Sequence, residues 1–185
     1  MRKNFGSKAC VYPQPVFILA AYDENGIPNA MNAGWGGITD YHEITLAIDP
    51  DHKTMKNILL KKEFTLSMAT TDMLVACDYV GLVSGNKVPD KMERSGFHTT
   101  KAEFVDAPLI HELPMTLECR MTRFNEENDH LYAEIVNLSA DESILTDGKI
   151  DPKKLNPIIL DSINHTYWTM GEEVGKAFHD GLQLK

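Results

Sequence analysis

Two strand-like segments joined by a short polar turn constrain the fold of this chain more than any other feature. In "TLECRMTRF" (Thr116–Phe124), Leu117, Cys119 and Met121 alternate with polar residues, which is the period of a half-buried β-strand. The polar turn "NEEND" then leads into "HLYAEIVNLSAD", a second strand of similar length. Because so short a turn lets the two strands pair only in the antiparallel direction, the sequence predicts a long hairpin.

Other short apolar segments also indicate strands separated by turn residues. They are "PVFILAAYD" (Pro15–Asp23), "HEITLAID" (His42–Asp49), "EFTLSMA" (Glu63–Ala69) and "NPIILDS" (Asn156–Ser162). A pattern of about seven short strands with small helices between some of them favours a closed antiparallel barrel over a parallel sheet. The sequence therefore predicts a mainly β protein, with one place, around Lys53–Lys62, where a parallel crossover remains open.

Three helices are predicted between these strands. "KTMKNILLKK" (Lys53–Lys62) repeats its apolar residues at helical spacing. A second helix is expected to begin after Asp72 as its N-cap and to run to about Tyr79. The third, in "PDKMERSGF", is expected to end at Gly96, because glycine readily takes the left-handed conformation that follows many helices.

Composition and charge exclude several classes of protein. A chain of 185 residues predicts one domain, 1–185, and no apolar run is long enough to span a bilayer. The net charge of −9, without any basic stripe, argues against nucleic acid binding. Because no apolar signal-peptide core follows the basic start "MRK", a cytoplasmic location is expected.

The scattered cysteines and histidines predict neither a disulfide framework nor a metal site. Cys10, Cys77 and Cys119 are odd in number and far apart, so we expect three structural thiols in a reducing compartment. None of the seven histidines has the HxH, HxxxH or HExxH spacing of a metal ligand pair. No nucleophile elbow, P-loop or dinucleotide-binding glycine motif occurs, so no catalytic residue is assigned.

The turn "DPDHKT" combines features of an anion site. It follows a strand and enters a helix, where unpaired N–H groups and the helix dipole favour a negative ligand. Asp49 opens this turn, and His52, Lys53 and Thr54 add basic groups and a hydroxyl, which suits a phosphate. The alternative is an ordinary helix start, at which Asp49 or Asp51 is the cap and the basic side chains are solvated.

The segment "NAMNAGWGG" is unusual for a strand because its side chains are small or amides. Such residues let a flat ligand approach the main chain, and amide side chains offer both donors and acceptors. Trp35 would stack on that ligand or fill a gap in the core, and the glycines also suit a bulge or a barrel corner. The ligand interpretation uses Asn29, Ala30, Met31, Asn32, Ala33 and Trp35.

A third group of polar residues lies further along the chain. Lys91 and Arg94 are three residues apart and share one helical face, either in solvent or as an additional phosphate contact. A turn at Ser84–Asn86 precedes that helix. Together with the two segments above, this describes a ligand with an aromatic ring system at one end and a phosphate at the other.

These motifs, in this order, resemble the flavin reductase-like family, and within it the flavoredoxin-type branch. The resemblance is carried by "PxPVFILAAYDENGIPNAMNAGWGGITDYHEITLAI", "HKT" and "DYVGLVSGxxVPDKMERSGF", and by "VDAPLI", "ELPMTLEC" and "ADESILTDGKID" downstream. It covers nearly the whole chain. It implies an FMN-binding split β-barrel, a closed Greek-key antiparallel barrel with short flanking helices, which binds FMN non-covalently and forms a homodimer with the flavin near the subunit interface.

The resemblance also assigns roles to individual positions. It implies that "NAMNAGW" runs beside the isoalloxazine ring and ribityl chain, and that the turn with His52, Lys53 and Thr54 binds the phosphate. Ser84 and Lys91 correspond to an element near that phosphate. Asn164 and Tyr167 fall where relatives have a residue close to the flavin edge.

The residues and the resemblance together leave three functions open. The first is an FMN-dependent oxidoreductase that takes hydride from NAD(P)H as a transient donor. The second is an electron-transfer flavoprotein that a partner protein reduces, and the third is a non-catalytic FMN-binding module. Met31, Asn32 and Ala33 stand where short-chain flavin reductases usually carry a "TxNS"-like stretch. This difference leaves open whether FMN is a bound cofactor or a substrate.

Overall fold

A computed structural model describes all 185 residues, and antiparallel sheet dominates it. The strands are, in chain order, β1 Phe17–Tyr22, β2 Pro28–Ala33, β3 Gly36–Asp40, β4 Glu43–Ala47, β5 Glu63–Met68, β6 Thr99–Lys101, β7 Pro108–Ile110, β8 Met115–Asn125, β9 His130–Ala140, β10 Leu145–Thr146, β11 Lys149–Ile150, β12 Ile158–Asp161 and β13 Thr166–Thr169. The helices are α1 Lys53–Lys61, α2 Leu74–Leu82, α3 Lys91–Ser95 and α4 Pro152–Leu155. Short 3-10 segments cover Glu142–Ile144 and Asp180–Leu184.

Seven strands form one curled sheet in the order β2-β1-β5-β8-β9-β4-β3. All of its pairs are antiparallel, and the predicted hairpin is β8 and β9, which pair from Met115↔Ala140 to Asn125↔His130. The two edge strands, β2 and β3, follow one another in the chain, joined by Gly34 and Trp35. This is the mainly β, split-barrel architecture that the sequence predicts, except that the sheet is curled and not closed, because β2 and β3 do not pair with each other. The possible parallel crossover at α1 is absent, because β4 and β5 do not pair.

Strand β1 is buried on both faces, which explains its continuous apolar sequence. Phe17 and Leu19 point into the barrel interior, where they join Ile44, Leu66 and other core residues. The side chains between them lie on the outer face, in a second cluster that helix α2 covers. The sheet thus has a core on each side of β1, and α2 is held against the outside of the barrel.

The helices begin and end close to the predicted positions, with two differences. Asp72 does not cap α2, because the N-cap is Met73 and the turn is held by main-chain bonds such as Leu74 N–H to the Thr71 carbonyl. The helix also runs to Leu82, beyond the predicted end near Tyr79. The third helix ends at Gly96, whose φ of 75° is the left-handed conformation that the sequence predicts.

The cysteines are not alike in their environments. Cys77 and Cys119 are buried in the two cores, and burial raises their thiol pKa values to about 11 and about 12. They are structural thiols, as predicted. Cys10 is exposed, so the same expectation is wrong for this residue.

None of the helices is both long and apolar enough to cross a membrane.

Candidate functional site

The N-terminus of helix α1 has no protein cap. His52 occupies the N-cap position without a side-chain cap bond, and the first turn contains no acidic residue. The main-chain N–H groups of Lys53 and Thr54 have no acceptor in the protein. Such free donors, at the positive end of the helix dipole, favour an anion.

The aspartates of this turn are committed to other contacts. The Asp49 carboxylate accepts a bond of 2.8 Å from the Asp51 amide, and the Asp51 carboxylate lies 3.5 Å from the Lys56 ammonium. Neither side chain caps α1, so the alternative of an ordinary Asp-capped helix is wrong. Asp49 supports the turn and does not line the cavity that α1 borders.

Helix α2 and the turn after it approach the asparagine side chains of strand β2 closely at two glycines. A Cβ atom at Gly81 would lie 2.1 Å from the Asn32 amide nitrogen, and one at Gly85 would lie 2.3 Å from the Asn29 amide nitrogen. Ala30, between the two asparagines, is fully buried in the cluster beneath α2. The small side chains of β2 therefore accommodate the helix, which is a physical cause that the sequence interpretation missed.

The glycines after β2 have a separate cause. A Cβ atom at Gly36 would lie 2.3 Å from the main-chain oxygen of Thr45 on the neighbouring strand, so no side chain fits there. The β3–β4 pairing is also irregular between Ile38 and Asp40. This supports the alternative of a barrel corner with a bulge.

A cavity of about 220 Å³ lies between α1, β2 and the end of α2. It brings together eight of the residues that the sequence singled out, which are Asn29, Met31, Asn32, His52, Lys53, Thr54, Ser84 and Lys91. It also includes residues that sequence reasoning missed, which are Val80, Gly81, Leu82, Val83 and Gly85. No acidic side chain lines it, although the chain carries a net charge of −9.

Lys91 is the lysine of this cavity whose ammonium has no partner, whereas Lys53 is paired. The residue is only 2% exposed, and its ammonium forms no ion pair and no hydrogen bond in the protein. Burial lowers its pKa to about 8. A buried cation is costly unless it is paired, so this side chain indicates an anionic ligand.

Lys53 and Thr54 also line the cavity, but each already has a partner. The Lys53 ammonium lies 3.6 Å from the Asp23 carboxylate. The Thr54 hydroxyl is buried and donates a bond of 2.9 Å to the Asn29 side-chain oxygen. Their side chains therefore shape and orient the cavity, whereas Lys91 and the free N–H groups of α1 retain their capacity to bind an anion.

Five other predicted residues, besides Asp49, do not line this cavity. Ala30 and Ala33 are buried in the two cores, and Trp35 is 54% exposed in the β2–β3 connection, so it does not fill a core gap. The Asn164 amide donates to Asp161 in the β12–β13 turn. The Tyr167 hydroxyl donates a bond of 2.7 Å to Asp78 on α2, which fixes the helix that forms one cavity wall.

The chain matches a known protein family and is similar to solved structures. The family model for the flavin reductase-like domain matches residues 9–153. Flavoredoxin of Desulfovibrio vulgaris (Miyazaki F) has a TM-score of 0.94 and 32% sequence identity, covering 98% of this chain and 100% of that one. Flavoredoxin from Methanosarcina acetivorans has a TM-score of 0.87 and 30% identity, covering 100% of this chain and 98% of that one.

A more distant structure has the same fold. An FMN-binding domain of a flavin reductase-like enzyme from Shewanella baltica has a TM-score of 0.79 and 21% identity, and covers 88% of this chain and 89% of that one. The curled seven-stranded sheet is thus shared well beyond the flavoredoxins.

Proposed function

Because the chain belongs to the flavin reductase-like domain family, in its flavoredoxin-type branch, we propose that it is an FMN-dependent oxidoreductase. In this proposal it accepts hydride from NAD(P)H and passes electrons to a flavin or a protein acceptor. The observation that carries the proposal is the buried, unpartnered Lys91 in a cavity without acidic side chains.

The cavity fits the phosphate end of FMN. A phosphate monoester is close to a dianion at neutral pH and accepts several hydrogen bonds. Lys91 would supply the charge, and the N–H groups of Lys53 and Thr54 would supply main-chain donors. His52 and Ser84 line the same cavity and offer further donors.

The size of the cavity supports a position for the rest of FMN on the neighbouring surface. Its volume of about 220 Å³ is below the roughly 300–1,000 Å³ of pockets that enclose a whole drug-sized ligand. Strand β2 borders it and is an edge strand, so main-chain groups on its outer side have no strand partner. We assign the ribityl chain and ring to this edge, beside Asn29 and Asn32.

Bound FMN would supply the redox chemistry, since its ring accepts a hydride or single electrons. The protein's residues hold and orient it and need not transfer protons, so we assign no catalytic residue. The chain contains no glycine-rich dinucleotide motif. NAD(P)H is therefore proposed as a transient reactant at an open face of the site.

The similarity to two flavoredoxins favours a second candidate, an electron-transfer flavoprotein that a redox partner protein reduces. The net charge of −9 would suit a basic partner. In this case FMN remains the cofactor, and the NAD(P)H reaction is slow or absent.

We also propose that the protein is a homodimer. One open region of the barrel forms an apolar groove of about 430 Å³ lined by ten hydrophobic side chains, which are Phe17, Ile38, Tyr41, Ile44, Leu66, Met68, Met115, Leu117, Ile135 and Leu138. Ile38 and Tyr41 are 62% and 94% exposed. Apolar surface of this kind is typical of an interface, and a two-fold axis covers it in both copies at once.

The experiment is an anaerobic reduction of the purified protein. The visible spectrum is recorded, the cofactor is extracted and identified by mass, and the holoprotein is mixed with NADH and with NADPH in a stopped-flow instrument. Rapid bleaching supports the oxidoreductase, whereas a bound FMN that neither nicotinamide bleaches favours the electron-transfer protein. A colourless protein that FMN does not reconstitute contradicts both.

A further inference from the structure

The two loops that border the anion end of the cavity are joined by one side-chain bond. The Asn86 amide nitrogen donates a hydrogen bond of 2.9 Å to the main-chain oxygen of Asp51. The two residues are 35 positions apart in sequence. It is the one hydrogen bond between the α1 turn, residues 49–54, and the segment 84–91.

The residues next to Asp51 and Asn86 in the sequence indicate where this bond lies. Asp51 directly precedes His52, and Asn86 directly follows Gly85. His52 and Gly85 line the cavity, whereas Asp51 and Asn86 do not. The bond is exposed and joins the two loops next to residues that line the cavity.

The turn that presents Asn86 is itself held in place. The main-chain N–H groups of Lys87 and Val88 both donate to the Ser84 carbonyl, at 2.9 and 3.0 Å. Gly85 packs against the Asn29 amide, which a Cβ atom at Gly85 would displace. Asn86 thus joins two segments that are each held by hydrogen bonds within the protein.

We propose that the Asn86–Asp51 bridge makes this cavity selective for a monophosphate. The inference rests on the proposed function, in which the phosphate of the flavin lies in the cavity. FMN ends at that phosphate and needs no space behind it. In FAD the phosphate carries a second phosphate and an adenosine, which would have to pass the bridge.

The test compares the dissociation constants of FMN, FAD and riboflavin in three variants of the full chain. Asn86→Leu keeps the approximate size of the side chain but removes the donor, and Asn86→Gln keeps a donor. Asn25→Leu is the matched control, because Asn25 lies in the exposed β1–β2 turn and only its main-chain N–H, not its side-chain amide, forms a hydrogen bond. Circular dichroism and thermal melts establish that each variant folds.

In the unmodified protein FMN should bind more tightly than FAD. Asn86→Leu should lower the ratio of the FAD to the FMN dissociation constant by at least about threefold, the scale of one lost hydrogen bond. Asn86→Gln should change that ratio less, and Asn25→Leu should leave it unchanged. Riboflavin affinity should be the same in all variants, because riboflavin has no phosphate.

The outcomes separate this inference from the proposed function. If flavins bind but Asn86→Leu leaves the FAD to FMN ratio unchanged, the bridge does not select and the inference is wrong. Equal affinity of the unmodified protein for FMN and FAD also overturns it, although flavin binding stands. If no flavin binds at all, both the inference about the bridge and the proposed function are wrong.

Discussion

The Thr54 hydroxyl donates a hydrogen bond of 2.9 Å to the Asn29 side-chain oxygen, which ties helix α1 to strand β2 at the cavity. On its other side the same asparagine meets Gly85, where an added Cβ atom would lie 2.3 Å from the amide nitrogen. The Asn29 side chain thus contacts both walls of the cavity, α1 and the turn after α2. Its position sets the width of the proposed flavin site.

Gly85→Ala should therefore displace Asn29 and weaken flavin binding. Because the asparagine is held by Thr54, the new methyl group cannot be accommodated cheaply, and overpacking of this kind costs about 1–3 kcal/mol of stability. Urea denaturation gives the free energy of unfolding, and fluorescence titration gives the FMN affinity. Gly171→Ala is the control, since a Cβ atom there meets nothing within 4 Å. Equal results for the two variants would contradict this packing argument.

Lys91→Met should stabilise the flavin-free protein. The Lys91 side chain is 2% exposed and its ammonium has no ion-pair partner, and its pKa falls to about 8, whereas the unfolded chain keeps the ordinary lysine value of about 10.4. The unfolded state therefore binds more protons between these values, and the folded state carries the full cost of the buried charge below pH 8. Removing the charge should raise the free energy of unfolding at pH 7 by on the order of 2 kcal/mol.

Thermal melts of the flavin-free protein measure this effect. Lys91→Met should raise Tm, whereas Lys87→Met, at an exposed lysine of the preceding turn without an ion pair, should not. The stability of the unmodified protein should also increase from pH 8 to pH 10, and Lys91→Met should remove this increase. A Tm for Lys91→Met below that of the unmodified protein would mean that Lys91 stabilises the fold.

The affinity for FMN should depend on pH with a maximum between about 6 and about 8. Below about 6 the phosphate takes up its second proton, which weakens the anion. Above about 8 Lys91 loses its proton in the free protein, so binding then requires that a proton be taken up. Fluorescence titrations from pH 5 to 9.5 check this, with riboflavin as the control. An FMN affinity that is flat above pH 8 would exclude Lys91 as the charged group.

The proposed dimer should be sensitive to the apolar groove. Ile38→Asp places a charge in the groove and should convert the dimer to a monomer. Ile27→Asp is the control, because Ile27 is 56% exposed in the β1–β2 turn, outside the groove. Light scattering should give twice the chain mass of 20.8 kDa for the unmodified protein and the control. A monomer mass for the unmodified protein at micromolar concentration would refute the proposal.

Local sequence patterns predicted the sheet and part of the site. The alternation in β8 and β9 predicted the hairpin, and the turn before α1 predicted a helix start rich in donors. These predictions hold because strand period and helix-start chemistry are local properties. The order of the seven strands is not local and was not predicted, whereas the split-barrel fold class came from the resemblance to a family.

The other features of the site depend on contacts between residues that are distant in sequence. Nothing near Lys53 in the sequence indicates that Asp23, 30 positions earlier, neutralises it. The burial of Lys91 is equally hidden, since a lysine on a short polar helix is ordinarily exposed. The spacing of Gly81 and Gly85 was the available signal for close packing on β2, but it gains meaning only once α2 is known to extend to Leu82.

The affinities of Lys91→Met for FMN and for riboflavin test directly whether Lys91 binds the phosphate. A charge-assisted contact to phosphate contributes roughly 1.5–3 kcal/mol, so the FMN dissociation constant should rise at least about tenfold. Lys53→Ala, whose ammonium is already paired with Asp23, should have a smaller effect. Riboflavin affinity should stay unchanged in both variants, because it lacks the phosphate. If Lys91→Met binds FMN as tightly as the unmodified protein, or loses FMN and riboflavin equally, Lys91 does not hold the phosphate and this cavity is not the phosphate site.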